Sequence, residues 1–137
     1  MKTITFDEFI HDPDWVINEE MCKRGRVMCS DGFTVSIQRN VYTYSDLHEH
    51  WLTPNIFNRA YPATMSETEY ELGYPSEHDS LLDEYAEDPD RPTNTVYGYV
   101  PYHIVVKLLE KHGGITYVRN IDNEWIPVEF HDVKVGV

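Results

Sequence analysis

Between Arg59 and Arg91 the chain runs for 31 residues without a lysine or an arginine, and ten of those residues are carboxylates. They are Glu67, Glu69, Glu71, Glu77, Asp79, Asp83, Glu84, Glu87, Asp88 and Asp90. Interspersed bases would relieve their mutual repulsion, and none is present. Like-charge blocks of this length are usually disordered. This one also carries Tyr70, Leu72, Tyr74, Leu81, Leu82 and Tyr85, enough apolar surface to pin the segment to a core. Any fold must therefore bury that set and leave the charges outside.

Two local patterns meet the requirement. Over residues 66–74, Glu67, Glu69 and Glu71 alternate with Thr68, Tyr70 and Leu72. The alternation predicts a half-buried strand with outward carboxylates about 6.6 Å apart, twice the rise per residue. Residues 75–79 then open a short helix or structured loop, with Ser76 and Asp79 in capping positions and Leu81, Leu82 and Tyr85 turned inward. The turn-rich Asp88-Pro89-Asp90-Arg91-Pro92 stops it.

Elsewhere, Thr5-Phe6-Asp7-Glu8 has capping-box spacing and predicts a short opening helix with Phe6, Phe9 and Ile10 inward, stopped at Asp12-Pro13. Residues 14–24 read as a second short helix. Residues 26–29 and 33–38 flank Ser30-Asp31-Gly32, a hairpin with Asp-Gly at its tip. Residues 40–64 form an irregular excursion broken by Pro54 and Pro62. Residues 95–100 predict a strand, and Pro101 leads into the main helix, whose stripe is Ile104, Val105, Leu108 and Leu109 and whose stop is Gly113-Gly114. Residues 115–119 and 125–130 make a last hairpin, in which Pro127 points to an edge strand. Val133, Val135 and Val137 alternate as a terminal strand would. Nothing separates a second domain, and 137 residues suit one core. The expected class is α+β over a single domain, 1–137. It combines an antiparallel sheet of four to six strands with one main helix at about 101–112 and one or two short helices.

The formal net charge of −13 exceeds what solubility needs. It repels nucleic acid and anionic membranes and attracts basic surfaces, with fast, salt-sensitive association. No apolar leader region occurs in residues 1–20, and no stretch reaches membrane-span length. The expectation is a cytoplasmic chain with Cys22 and Cys29 reduced. There is no Gly-x-Ser-x-Gly elbow and no glycine-rich phosphate loop. His48-Glu49-His50 is the compact set of candidate metal ligands, because on a strand both histidines point the same way. Zincin spacing is missing and Trp51 follows, so loop histidines are the plainer reading. No metal, cofactor or catalytic residue is expected. Tyr97, Tyr99 and Tyr102 read as packing, and Lys23-Arg24-Gly25-Arg26 as an internal counter-charge.

Carboxylates held several ångströms apart on a rigid element can occupy lysine and arginine sites built for phosphates, since an arginine fork accepts either group. The ten carboxylates are therefore the expected partner-binding set. The pattern Tyr74-Pro75-Ser76, Leu81-Leu82, Tyr85-Ala86-Glu87-Asp88-Pro89, Pro92-Thr93, Thr95-Val96-Tyr97, Val100-Pro101 and His112-Gly113-Gly114, with Cys29-Ser30-Asp31-Gly32-Phe33 upstream, carries a resemblance. It resembles small acidic phage- and prophage-encoded proteins of the anti-CRISPR, host-defence-inhibitor type, over about half of the chain. That class shares no catalytic residues and no common fold. The resemblance implies a non-enzymatic inhibitor in the host cytoplasm that mimics DNA and blocks the nucleic-acid channel of a basic host complex, a CRISPR effector first. An immunity protein or antitoxin binding a basic toxin has the same charge signature. A small metal-dependent hydrolase around His48 and His50 is the remaining alternative, and residues 40–64 are a second candidate contact surface.

Overall fold

The Asp-Gly turn joins two strands at the centre of the sheet. In the computed structural model, β2 (Arg26–Cys29) and β3 (Thr34–Gln38) pair antiparallel across it. Gly32 takes φ +95°, the left-handed region that glycine enters without steric cost. Asp31 Oδ1 accepts from the Phe33 amide at 2.9 Å and fixes the turn from its own side chain. The structure describes residues 2–11, 25–39, 43–46, 68–120 and 122–130. The helix expected at 14–24, most of the 40–64 excursion, Glu67, Cys22, Lys23, Arg24, His48, His50 and the terminal valines lie outside the described residues.

Strand β4 (Glu69–Gly73) adds antiparallel to β3 and buries Tyr70 and Leu72 while Glu69 and Glu71 stay half exposed, the alternation its sequence predicts. Beyond it lies β5 (Val96–Pro101), whose register slips: Tyr70 faces Val100, but Leu72 faces Tyr97. The extra residue is accommodated at Gly98-Tyr99, with Tyr99 at φ +54°. A 3-10 helix (Ser80–Tyr85) joins β4 to β5. On the other side of β2 come β6 (Ile115–Arg119) and β7 (Trp125–Phe130), a hairpin at the predicted positions.

A short strand that the sequence did not announce, β1 (Lys2–Ile4), pairs in parallel with Val128, Glu129 and Phe130 of β7. The described sheet therefore has six antiparallel strands and a parallel edge, in the order β1-β7-β6-β2-β3-β4-β5. Strand β7 is thus covered along 128–130, and the edge character expected from Pro127 is confined to the residues before that stretch. The fold is α+β as expected.

Helices α1 (Phe6–His11) and α2 (Tyr102–Lys111) cover one face of the sheet. Phe6 packs edge-on against Tyr70 and Tyr102, and Phe6 and Phe9 both meet Phe130. Val105, Leu108 and Leu109 of α2 are fully buried with Val27, Ile37, Leu72 and Val118. Each such side chain contributes about 1.5–3 kcal/mol by leaving water. The ladder pairings make β5 and β6 run in the same direction, so α2 crosses over three intervening strands and delivers its C-terminus to the β2–β3 turn. There Ser30 N donates to Gly114 O and Asp31 N to His112 O. Gly113, at φ +88°, ends the helix as predicted, and a Cβ at that position would lie 1.9 Å from Ser30 Oγ.

Candidate partner-binding face

The acidic segment is anchored from beneath at three points. Leu82 is fully buried, and Leu81 and Tyr85 pack against the same core. Asp79 caps the 3-10 helix, its Oδ1 accepting from the Leu81 amide at 3.0 Å. After the helix, Glu87 N donates to Val96 O at 3.0 Å, Asp88 N to Thr95 Oγ1 at 3.0 Å, and the Tyr97 hydroxyl to the Pro92 carbonyl. The segment is thus stitched along β5. Ser76, expected as a cap, instead accepts the Thr34 amide and ties the segment's entry to β3.

Asp79 departs from its expected role. Its carboxylate is only 2% exposed. It receives Lys111 Nζ on Oδ1 at 3.1 Å and His112 Nε2 on Oδ2 at 2.8 Å. Burial pushes its pKa up, but the Leu81 amide, His112 and Lys111 pull harder and hold it below the ordinary carboxylate value. Asp79 is therefore an anchor and not a contact residue. His112 donates its other ring nitrogen to Asp31 Oδ2 at 2.7 Å and stacks on Phe33 at 3.8 Å. Two carboxylate acceptors require both ring nitrogens to carry protons, so His112 is an imidazolium. Burial opposes that charge, yet Asp31 and Asp79 outweigh it and raise the pKa.

The remaining carboxylates face outward. Glu77, Asp83, Glu84, Glu87 and Asp90 are exposed and Asp88 is half exposed. Asp83 Oδ1 pairs with His78 at 2.6 Å, and Asp88 lies 3.8 Å from Arg91, both pairs open to solvent and of small energetic weight. The two β4 glutamates join this surface. Glu84 and Glu69 both act on the Tyr85 hydroxyl, whose pKa is raised first by burial and then by those two charges. Glu69 itself is pushed up by burial and by Asp46. Glu71 and Glu87 line one pocket of about 210 Å³ together with Ser36, Gln38, Tyr44, Gly73, Tyr74 and Val96. Of the expected set, Glu69 and Glu84 meet at Tyr85 and Glu71 and Glu87 at one pocket, Glu77, Asp83, Asp88 and Asp90 are solvent-facing, Asp79 is turned inward, and Glu67 lies outside the described residues.

Residues 43–46 are the described part of the 40–64 stretch expected as a second contact surface, and they lie against β4. Asp46 takes Arg39 Nε and Nη2, both at 2.9 Å, and receives the Glu69 amide at 2.8 Å. This bidentate pair is nearly buried and clamps the 43–46 segment across β4. Tyr44 N donates to Glu71 Oε1, and Tyr44 O accepts from the Tyr99 amide. A Cβ on residue 98 would lie 3.0 Å from Tyr44 Cβ, so glycine there permits the close approach. Tyr44 and Tyr99 stand 41% and 45% exposed with ring centroids 6.2 Å apart. Tyr97 is buried and Tyr102 packs on the core, as expected, but the bulge re-aims Tyr99 to solvent. The signal available in sequence was Gly98 between two tyrosines, a break in an otherwise apolar strand.

Among the described residues one trio of metal-ligand types converges: Asp31, Glu77 and His112, with ligand atoms within 4.8 Å of one another. Within the trio, His112 is 2.7 Å from Asp31 Oδ2 and 3.9 Å from Glu77 Oε1, an ion-pair arrangement. Burial and the nearby Asp31 push the Cys29 thiol up to about 12, which makes it inert as a nucleophile. No helix among the described residues is long and apolar enough to cross a membrane. Comparison of the chain with protein-family models finds no match, and neither curated proteins nor solved structures give one.

Proposed function

We propose that the chain is a non-enzymatic binding protein whose acidic surface docks onto a basic, nucleic-acid-binding partner and occupies the place of the phosphate backbone. The single observation that carries this reading is the attachment of the charged segment: its outward carboxylates ride on a 3-10 helix and a turn fixed to the core by Leu82, Asp79 and β5. Charges on a held backbone present one pattern to a partner without a large ordering cost on binding. The exposed Tyr44–Tyr99 pair beside them has the composition of an interface centre, aromatic with a charged rim. The resemblance to phage-encoded host-defence inhibitors makes a CRISPR effector complex in the host cytoplasm the first partner to test.

The experiment is competition. Purified effector complex is loaded with labelled DNA and titrated with the chain at several salt concentrations. The chain displaces DNA, and its apparent affinity falls steeply as salt rises. The triple variant Asp83→Lys, Glu84→Lys, Asp90→Lys, altered at three exposed positions, folds normally and displaces nothing. Displacement by that variant at wild-type potency removes the reading.

A further inference from the structure

The pocket bounded by Glu71 and Glu87 is built where β3, β4, β5, the 43–46 segment and the turn after the 3-10 helix meet. Its floor comes from β3 (Ser36, Gln38) and β4 (Glu71, Gly73), its walls from Tyr44, Tyr74, Glu87 and Val96. At about 210 Å³ it lies below the roughly 300 Å³ lower end of sites that enclose a drug-sized ligand or cofactor. It suits a single long side chain. Among the described residues the lining holds two carboxylates, a hydroxyl, an amide and two tyrosines, and no lysine or arginine. Arg26 donates to the carbonyls of two lining residues, Gly73 and Tyr74, at 3.3 and 2.7 Å.

Tyr74 is held in the wall at φ +50°, a conformation that bulky residues rarely adopt. Its amide donates to Thr95 O and its carbonyl is gripped by Arg26. Tyr44 is held equally firmly over Gly98. Two tyrosines and two carboxylates around one cavity are a setting for a flat cation, which stacks on rings and is gripped in its plane. An ammonium lacks the fork that two carboxylates and an amide oxygen can engage together.

We propose that this pocket receives the guanidinium of one arginine side chain from the partner protein, as the anchor of the interface. The proposal rests on the partner reading above and deepens it: the acidic surface steers a basic protein in, and the pocket seats one of its arginines. Buried arginine anchors in a pocket beside exposed aromatics are where binding energy concentrates.

The pocket is testable without the partner. The isotope-labelled full chain is titrated with N-acetyl-arginine methylamide and, in parallel, with the uncharged citrulline counterpart and the lysine counterpart, while backbone amide resonances are followed. The arginine compound produces saturable millimolar shifts centred on Gly73, Tyr74, Glu87 and Val96, and the other two bind at least about tenfold more weakly, the loss expected for removing hydrogen bonds to a charged group. Glu87→Gln weakens the arginine response about tenfold as well. Glu71→Gln does the same while keeping an oxygen for the Tyr44 amide, and unchanged Leu108 and Val118 resonances certify the fold in both variants. Equal binding of citrulline or lysine overturns the proposal, as do non-saturating shifts spread over Asp83, Glu84 and Asp90. A chain that displaces DNA yet gives no saturable arginine response loses the pocket and keeps the acidic-face reading. A chain that seats arginine but displaces nothing does the reverse.

Discussion

His112 joins the helix α2 C-terminus, the β2–β3 turn and the acidic segment through two hydrogen bonds, to Asp31 and Asp79. Its folded pKa is raised above the ordinary 6.5, so its stabilisation is complete below that value and is lost as pH climbs through the folded pKa. Asp31 and Asp79 are lowered from 3.8, so their contribution is present above that value and is lost as pH falls through their folded pKa values. The cluster therefore stabilises most between about pH 4 and 6.5. Urea unfolding of wild type and His112→Gln checks this: the gap between them is widest near pH 5 and narrows by pH 8.5. A gap independent of pH contradicts it. Asp79→Ala leaves the imidazolium facing one carboxylate instead of two and costs about 1.5–3 kcal/mol, the range for a lost hydrogen bond to a charged group, read from urea midpoints. Asp79 was legible as a cap from its position before Leu81-Leu82, but its burial was not. Its two cationic partners lie more than 30 residues away, and only the crossover of α2 brings Lys111 and His112 to it.

The 3-10 helix and its turn carry the charge, and Leu82 carries the 3-10 helix. Leu82→Ala is expected to cost about 2–5 kcal/mol, as for other fully buried leucines, and Leu81→Ala much less because Leu81 is half exposed. Denaturant midpoints of the two variants measure the difference. Local patterns announced most elements: alternation gave β4, the Asp-Gly turn gave β2 and β3, and the apolar stripe closed by two glycines gave α2. Two features escaped. The strand Lys2–Ile4 is three residues long and exists through its pairing with β7, which no local pattern encodes. The bulge at Tyr99 depends on the Tyr44 carbonyl, 55 positions earlier, waiting for the freed amide. Contacts between distant segments set both, and single-sequence periodicity is blind to them.

Across the whole molecule, a net charge of −13 opposes compaction, so wild-type stability rises as salt screens the repulsion. The same salt weakens association with a basic partner, and the opposite signs separate folding from docking in one titration. Thermal melts between low salt and about half-molar salt should climb, and a falling melting temperature would contradict this. The candidate surface was half legible: the charges stood in the sequence, whereas the pocket and the Tyr44–Tyr99 pair arise from segments that meet only in the fold. Docking of this kind requires the acidic stretch to be held in one shape in the free protein. Amide hydrogen exchange of the unbound chain tests it at Leu82, Ala86, Glu87 and Asp88, whose amides donate to Asp79, Asp83, Val96 and Thr95. Slowed exchange is expected at all four, lost in Leu82→Ala; exchange at the free-chain rate in wild type would show that the segment is not held.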